Sequence, residues 1–236
     1  METIRIFRLF AFLLLMSYPL GAVPIGNLSA YHAEILIDES SNPIPTLTPR
    51  ALELTKKGAK AGYSQSNFVL GVMYYNGTDG IEKDFNQAFR YFKIAAEKGQ
   101  LDSQYILGGM YINAEGTPVN FEQGVKWYRI AAMNAYADAQ VTLVESYLFG
   151  KIIKQNTEEA YLWCILAINN GKDHVREMLP KFEKNLSRKS ILSIQNKALA
   201  LSKQIRINHE KAIANNNKEQ SKWQAFMEKE SAKSDK

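Results

Sequence analysis

Small, apolar and aromatic side chains return along this chain at a fixed step. Leu70, Leu107 and Leu143 open three similar stretches, LGVMYYNG, LGGMYINA and LVESYLFG, set 37 and then 36 residues apart. Ser66, Ser103 and Ala139 stand four residues before those leucines, and Tyr74, Tyr111 and Tyr147 stand four residues after. Positions i, i+4 and i+8 share one face of a helix, so each stretch predicts one helix. A second stripe follows a short connector: Ala88, Gly124 and Ala160, then Tyr91, Trp127 and Trp163, then Ala95, Ala131 and Ala167. Its i, i+3, i+7 spacing marks a second helix, whose small residues let a neighbouring backbone approach while the aromatic fills the gap. Gly99, Ala135 and Gly171 close the units. The residue that lengthens the first interval falls in the connector, where GTDGIEKD is one longer than AEGTPVN, and insertions belong in loops.

The ends of these helices are also legible. Gly77 and Gly150 stand where the first helix must stop, suited to a left-handed cap. Asp84 and Asn120 are good N-caps for the second helix, with Thr157 expected in that role in the third copy. A period in the mid-thirties built of helix–turn–helix units predicts an all-α solenoid. Residues 48–62, TPRALELTKKGAKAG, match a second helix whose first helix is missing, with Pro49 at the start. After the third unit, Met178, Leu179, Phe182 and Leu186, then Ile191, Ile194, Ala198 and Leu201, predict an amphipathic terminal cap.

These residues resemble the Sel-one-like repeat, a short relative of the tetratricopeptide repeat. The shared pattern is A-x3-L-G-x2-Y-x2-G, a G-V-x2-D connector, then A-x2-W-Y-x2-A-A-x2-G. The first copy is the nearest to it. The second replaces the terminal glycines by Ala114 and Ala135, and the third has Val144 for the helix glycine and Ile152 for the connector glycine. With its flanking half-units the resemblance covers residues 49–202. It implies a right-handed α/α solenoid of about three helix–turn–helix repeats with helical caps. The expected layout is a signal peptide at 1–22, an extended linker at 23–48, and the solenoid at 49–202. Its repeats lie near 64–99, 100–135 and 136–171, with a helical cap at 172–202. A polar basic tail, helical or disordered, follows at 203–236. Trp223, Phe226 and Met227 form a lone apolar cluster in that tail, read as a packing contact with a partner-binding motif as the alternative.

Charge changes the picture only when split along the chain. The net +5 comes from +1 over residues 1–30, −3 over 31–180 and +7 over 181–236. A mildly acidic centre argues against nucleic acid as the partner of the folded core. The basic tail offers a lesser contact for anionic surfaces. Arg5 and Arg8, the apolar run from Leu9 to Met16, Pro19 and the small residues around Ala22 have the layout of a signal peptide cut after Ala22, with Ala30 as second choice. The run is shorter than the roughly 20 residues of a membrane span. The expectation is therefore an exported protein with no integral membrane span, periplasmic or secreted if the source is bacterial.

Candidate chemistry is sparse. His32, His174 and His209 are scattered, so no zinc spacing exists, and no catalytic, metal or cofactor residues are predicted. No nucleophile elbow, phosphate loop or dinucleotide fingerprint is present. Cys164, the single cysteine, sits in YLWCILA and reads as a core thiol, which leaves no internal disulfide. Glu158 and Glu159 read as first-turn acids that favour the helix dipole. By analogy with tetratricopeptide units, the resemblance implies a concave groove lined by the first helices. Its candidate partner-binding residues are Phe68, Val72, Tyr75 and Asn76, then Tyr105, Ile112 and Asn113, then Val141, Glu145 and Leu148. Phe68, Tyr105 and Val141 serve equally well as core between repeats. The function expected is an exported, non-catalytic scaffold or adaptor that holds a protein or peptide partner, in envelope assembly or host contact. The alternative is a cell-wall-directed or β-lactam-binding enzyme. Family members linked to β-lactams staple each repeat with a cysteine pair, which this chain lacks.

Overall fold

The computed structural model describes residues 49–77 and 80–233. The expected signal peptide and linker lie outside the described residues. Among the described residues every long element is a helix. α1 (Pro49–Lys60) precedes three helix pairs: α2 (Ser64–Asn76) with α3 (Phe85–Glu97), α4 (Leu101–Asn113) with α5 (Phe121–Met133), and α6 (Ala137–Phe149) with α7 (Thr157–Asn169). A 3-10 turn (Asp173–Met178), the short α8 (Leu179–Glu183) and a long α9 (Arg188–Lys233) complete the order. Helices of a pair pack most extensively on each other, and each second helix packs on the first helix of the next pair. The product is an all-α solenoid.

The core follows from small residues facing large ones. A Cβ at Gly71 would lie 2.7 Å from the Phe92 ring, and one at Gly108 would lie 2.7 Å from the Tyr128 ring. The gap-filling aromatics are thus Phe92 and Tyr128, which are buried, while Tyr91 and Trp127 one position earlier are half-buried. The third pair exchanges volume between its helices: Val144 stands where the glycine was and Cys164 where the aromatic was, both fully buried. Close-packed interiors require such compensation. Burial pushes the Cys164 thiol up to about 11, and its Sγ donates to the Val175 carbonyl at 3.3 Å. That is the core thiol anticipated from the sequence.

Each repeat junction carries a buried amide that the sequence reading did not single out. Asn67, Gln104 and Gln140 stand three residues before the repeat leucines. They donate to the carbonyls of Tyr63 (2.7 Å), Ala96 (3.2 Å) and Ala132 (3.0 Å), near the end of the preceding second helix or in the turn after it. Gln104 and Gln140 also accept from Asn134 and Asn170, which cap the following second helices. Helix C-termini expose carbonyls without intrahelical partners, and the ladder occupies them inside the core. Leucine in place of Gln140 fills the same volume without the bonds. Its expected cost is about 2 kcal/mol, read as a lower denaturant midpoint with unchanged slope.

The caps follow the register. Asp84 accepts from the Asn86 and Gln87 amides, and Asn120 from that of Gln123. In the third copy the cap is Asn156, which accepts from the Glu159 amide at 3.0 Å, so Thr157 is the first helical residue rather than the cap. The second copy departs from glycine at two left-handed positions, Ala114 (φ 58°) and Ala135 (φ 67°). A Cβ in that region costs roughly 1–2 kcal/mol, partly offset by the larger unfolded-state freedom of glycine. Ala135→Gly is therefore expected to raise stability by about 1 kcal/mol, measured by urea unfolding.

The terminal cap is a degenerate fourth unit. Val175, Leu179 and Phe182 stand 36 residues after Ala139, Leu143 and Ser146. Val175 and Phe182 are buried, and the Tyr161 ring meets Phe182 at 6.1 Å. Pro180 fits near the start of α8, where its missing N–H breaks no bond. Beyond Ser187, whose hydroxyl accepts from the Ser190 amide, α9 runs unbroken through Lys233, so no helix boundary falls near residue 203. Its 46 residues extend about 69 Å at 1.5 Å rise per residue. It packs on α7, α5, α1 and α2 in turn, against the chain direction. Ile194, Ala198 and Ile205 are buried, then Asn208 donates to the Met133 carbonyl at 3.1 Å and His209 meets that of Asn134 at 3.2 Å. Trp223 and Met227 bury at the far end, with Phe226 5.1 Å from Tyr63. The apolar cluster of the tail is thus a packing contact.

Candidate interaction surface

The first-helix residues expected to line a groove divide by burial. Phe68, Val72 and Tyr105 are 4%, 8% and 6% exposed and belong to the core. Phe68 packs 6.1 Å from Phe92, and Tyr105 lies between Tyr128 (5.3 Å) and Tyr136 (4.9 Å) with its hydroxyl 3.3 Å from Thr142. A first helix is covered both by its own second helix and by the preceding one, so its apolar side chains face two neighbours. Tyr75, Asn76, Ile112, Val141 and Leu148 are half-buried, while Asn113 and Glu145 are exposed. These seven keep a place at the surface.

Tyr75 is the most constrained of them. Its ring sits edge-on to Phe85 (5.1 Å) and Phe92 (6.3 Å), and its hydroxyl donates to Glu115 at 3.1 Å. Burial, then the Glu115 charge, pushes the Tyr75 phenol up to about 12. It is therefore a neutral hydrogen-bond donor at physiological pH. Lys83 stands over the Phe85 ring at 4.4 Å. Tyr75 thus fixes the second connector through Glu115 as well as facing outward.

Two in-register acids show how one position can serve two electrostatic ends. Asp138 pairs with Lys172 at 2.7 Å. Asp102, 36 residues earlier, accepts instead from the neutral Tyr136 hydroxyl (3.3 Å) and the Gln100 amide (2.9 Å). Burial pushes the Asp102 carboxyl above its ordinary 3.8, although both hydrogen bonds pull the other way. A carboxyl raised in the folded state binds its proton more tightly there than when unfolded. Its contribution to stability is present below pH 3.8 and is lost as pH rises through the folded pKa. Asp102→Asn removes that term. Urea unfolding between pH 4 and 7 is expected to show the native chain losing stability relative to the variant as pH rises.

A second surface, absent from the sequence reading, runs along α5. Phe121, Val125, Ile130 and Met133 line a groove of about 790 Å³ with Lys126, Arg129, Ile152 and Ile153 of the third connector, and Asn208 of α9. Phe121 is 45% exposed there. Arg129 faces the rings of Tyr147 (5.4 Å) and Trp163 (5.9 Å), contacts the Tyr147 hydroxyl and pairs with Glu159 at 3.4 Å. The signal available in the sequence was the connector KIIKQN, in which Ile152 replaces the glycine found at that position, Gly80 and Gly116, in the first two copies.

Among the described residues no helix is long and apolar enough to cross a membrane, and no group of three or more His, Cys, Asp or Glu is placed to hold a metal ion. Stacked helix pairs, buried junction amides and surface-facing first helices define the class, an α/α repeat solenoid. The Sel1 repeat family model matches residues 64–100, 101–136 and 137–172. The crystal structure of a Sel1 repeat protein from Oxalobacter formigenes is 30% identical, covering 56% of this chain and 98% of that chain, with a TM-score of 0.50. The chain belongs to the Sel1 repeat family. A protective antigen present in uropathogenic Escherichia coli strains, displaying an SLR fold, matches at 24% identity over 82% of this chain and 48% of that chain, with a TM-score of 0.45. No curated protein matches the chain significantly.

Proposed function

We propose that this protein is an exported, non-catalytic scaffold that holds a protein or peptide partner against the first-helix face of its repeats. The observation that carries the reading is the residue set left at the surface by stacking. Tyr75, Ile112 and Leu148 occupy one repeating position, and Asn76 and Asn113 the next. All five stay outside the fully buried core while their neighbours are packed away. Apolar side chains with adjacent amides at repeat spacing suit an extended chain, whose backbone amides would pair with Asn side chains. Export rests on the signal-like start of the sequence, and places the partner in a cell envelope or on a host.

Affinity capture from an envelope fraction tests this, with the native chain and an Asn113→Arg, Leu148→Arg variant as baits. Neither substituted side chain is in the fully buried core, so the fold is kept, which a melting curve checks. A partner held by the native chain and lost by the variant is the expected result. A partner held equally by both would move the site off this face.

A further inference from the structure

The geometry points to the groove along α5 as a second docking site, one that takes a short acidic amphipathic helix from a protein partner. It is separate from the first-helix face, and its argument does not depend on that face.

The groove is written into the sequence by one exchange. In the second repeat, Gly116 (φ 70°) lets the connector lie on the start of α3, so close that a Cβ there would stand 1.9 Å from the Phe85 carbonyl oxygen. The in-register residues one repeat on are Ile152, in the third repeat, and Phe121, in the second, each 36 residues on. A side chain with a β-carbon cannot make that approach without displacing the backbone it meets. The consequence is visible at the two phenylalanines: Phe85 is half-buried, whereas Phe121 is among the exposed large apolar residues of the protein. Where Gly116 meets the start of α3, the surface recess is lined mainly by polar and charged groups, among them Lys56, Glu82, Lys83, Asp84 and Thr117. The α5 groove, by contrast, is lined by Phe121, Val125, Ile130, Met133, Ile152 and Ile153.

Length and charge then select the occupant. The thirteen residues of α5 extend about 20 Å, matching roughly three and a half turns of a second helix. Ile152, Ile153 and Asn208 complete the lining around this helix-length strip. Lys126 lies on the groove beside Arg129, whose charge is shared with Glu159, and Lys151 and Lys154 flank the two isoleucines in sequence, against Glu122 as the acid of the lining. An apolar stripe bordered by basic groups complements a helix with leucine-like side chains on one face and carboxylates beside them.

The test uses the full chain and a fluorescein-labelled 14-residue peptide carrying leucines on one helical face and glutamates elsewhere. Two control peptides replace the glutamates by lysines or scatter the leucines around the helix. Fluorescence anisotropy gives affinity, and hydrogen exchange maps the site. The acidic amphipathic peptide is expected to bind at least tenfold tighter than either control, protecting residues 121–133 and 151–155. Ile153→Asp should weaken it at least tenfold. The exposed pair Lys126→Glu, Lys154→Glu should do so without altering the melting curve. Equal affinity for the three peptides, protection elsewhere, or insensitivity to both variants would overturn the proposal. So would anionic phospholipid vesicles binding the same face in preference to the peptide, which would make it a membrane contact.

Discussion

Trp223→Ala is expected to release the second half of α9 while leaving the repeats folded. Trp223 is 5% exposed, beside Gly58, where an added Cβ would come within 3.3 Å of the indole nitrogen. Truncating a buried tryptophan costs roughly 3–5 kcal/mol. Here that cost falls on a segment with little else to hold it. Between His209 and Trp223 no side chain of α9 is fully buried, and residues 213–218 are all exposed. Three successive asparagines at 215–217 add weak helix propensity to the same stretch. A detached helix of that length is marginal in water. Hydrogen exchange should therefore show protection collapsing from about residue 210 onward, with amides of α2 to α7 unchanged and a partial loss of far-ultraviolet ellipticity. Uniform loss of protection would mean that the strap and the solenoid unfold as one unit.

The second large effect is expected at Gly116. Alanine there meets two penalties at once. Its left-handed φ costs a β-carbon roughly 1–2 kcal/mol, and the Phe85 carbonyl stands where that carbon would go. The connector must lift off α3, which strains the Glu115 contact to Tyr75 and opens the junction between the first two repeats. A total near 3 kcal/mol is expected, measured by urea unfolding. The same substitution at Gly80, which has no neighbour within 4 Å, should cost only the φ term and so serves as the comparison. Equal losses at the two sites would show that the connector, not α3, absorbs the added carbon.

Much of the fold was legible before any coordinates. The repeat period, the paired helices, the caps at Asp84 and Asn120, the left-handed stop at Gly150 and the stop at Gly77, whose φ is positive (71°) but whose ψ of 114° lies outside the left-handed helical region, all depend on contacts within a few residues. Local chemistry of that kind is written directly in spacing. Even the exceptions were visible as exceptions, since Ala114 and Ala135 stand out against glycine in the other copies and do adopt the left-handed conformation.

The candidate surface was less legible, and the reason is geometric. Helical periodicity marks an apolar face but does not say how many neighbours cover it. Residues 101–110 of α4 are all buried, charged Asp102 included, because the helix is packed from more than one side. Phe68, Val72 and Tyr105 went to the core for that reason, whereas Asn113 and Glu145 stayed outside. Nor could spacing reveal the buried amides as a ladder, since Gln104 and Gln140 find their partners among the carbonyls of another helix.

What the sequence determined by itself is the repeating unit: two helices with a small-against-large seam that no single copy can bury alone. What only the tertiary structure decided is everything that joins distant parts of the chain. α9 turns back across the repeats on a sparse stripe, Ile194, Ala198, Ile205, Trp223 and Met227, too widely interrupted to read as one helix face. The groove on α5 is lined by an isoleucine of the third connector, where the second connector has a glycine against the backbone of α3. Periodic local patterns survive translation into sequence; the distance between two residues brought together by stacking does not.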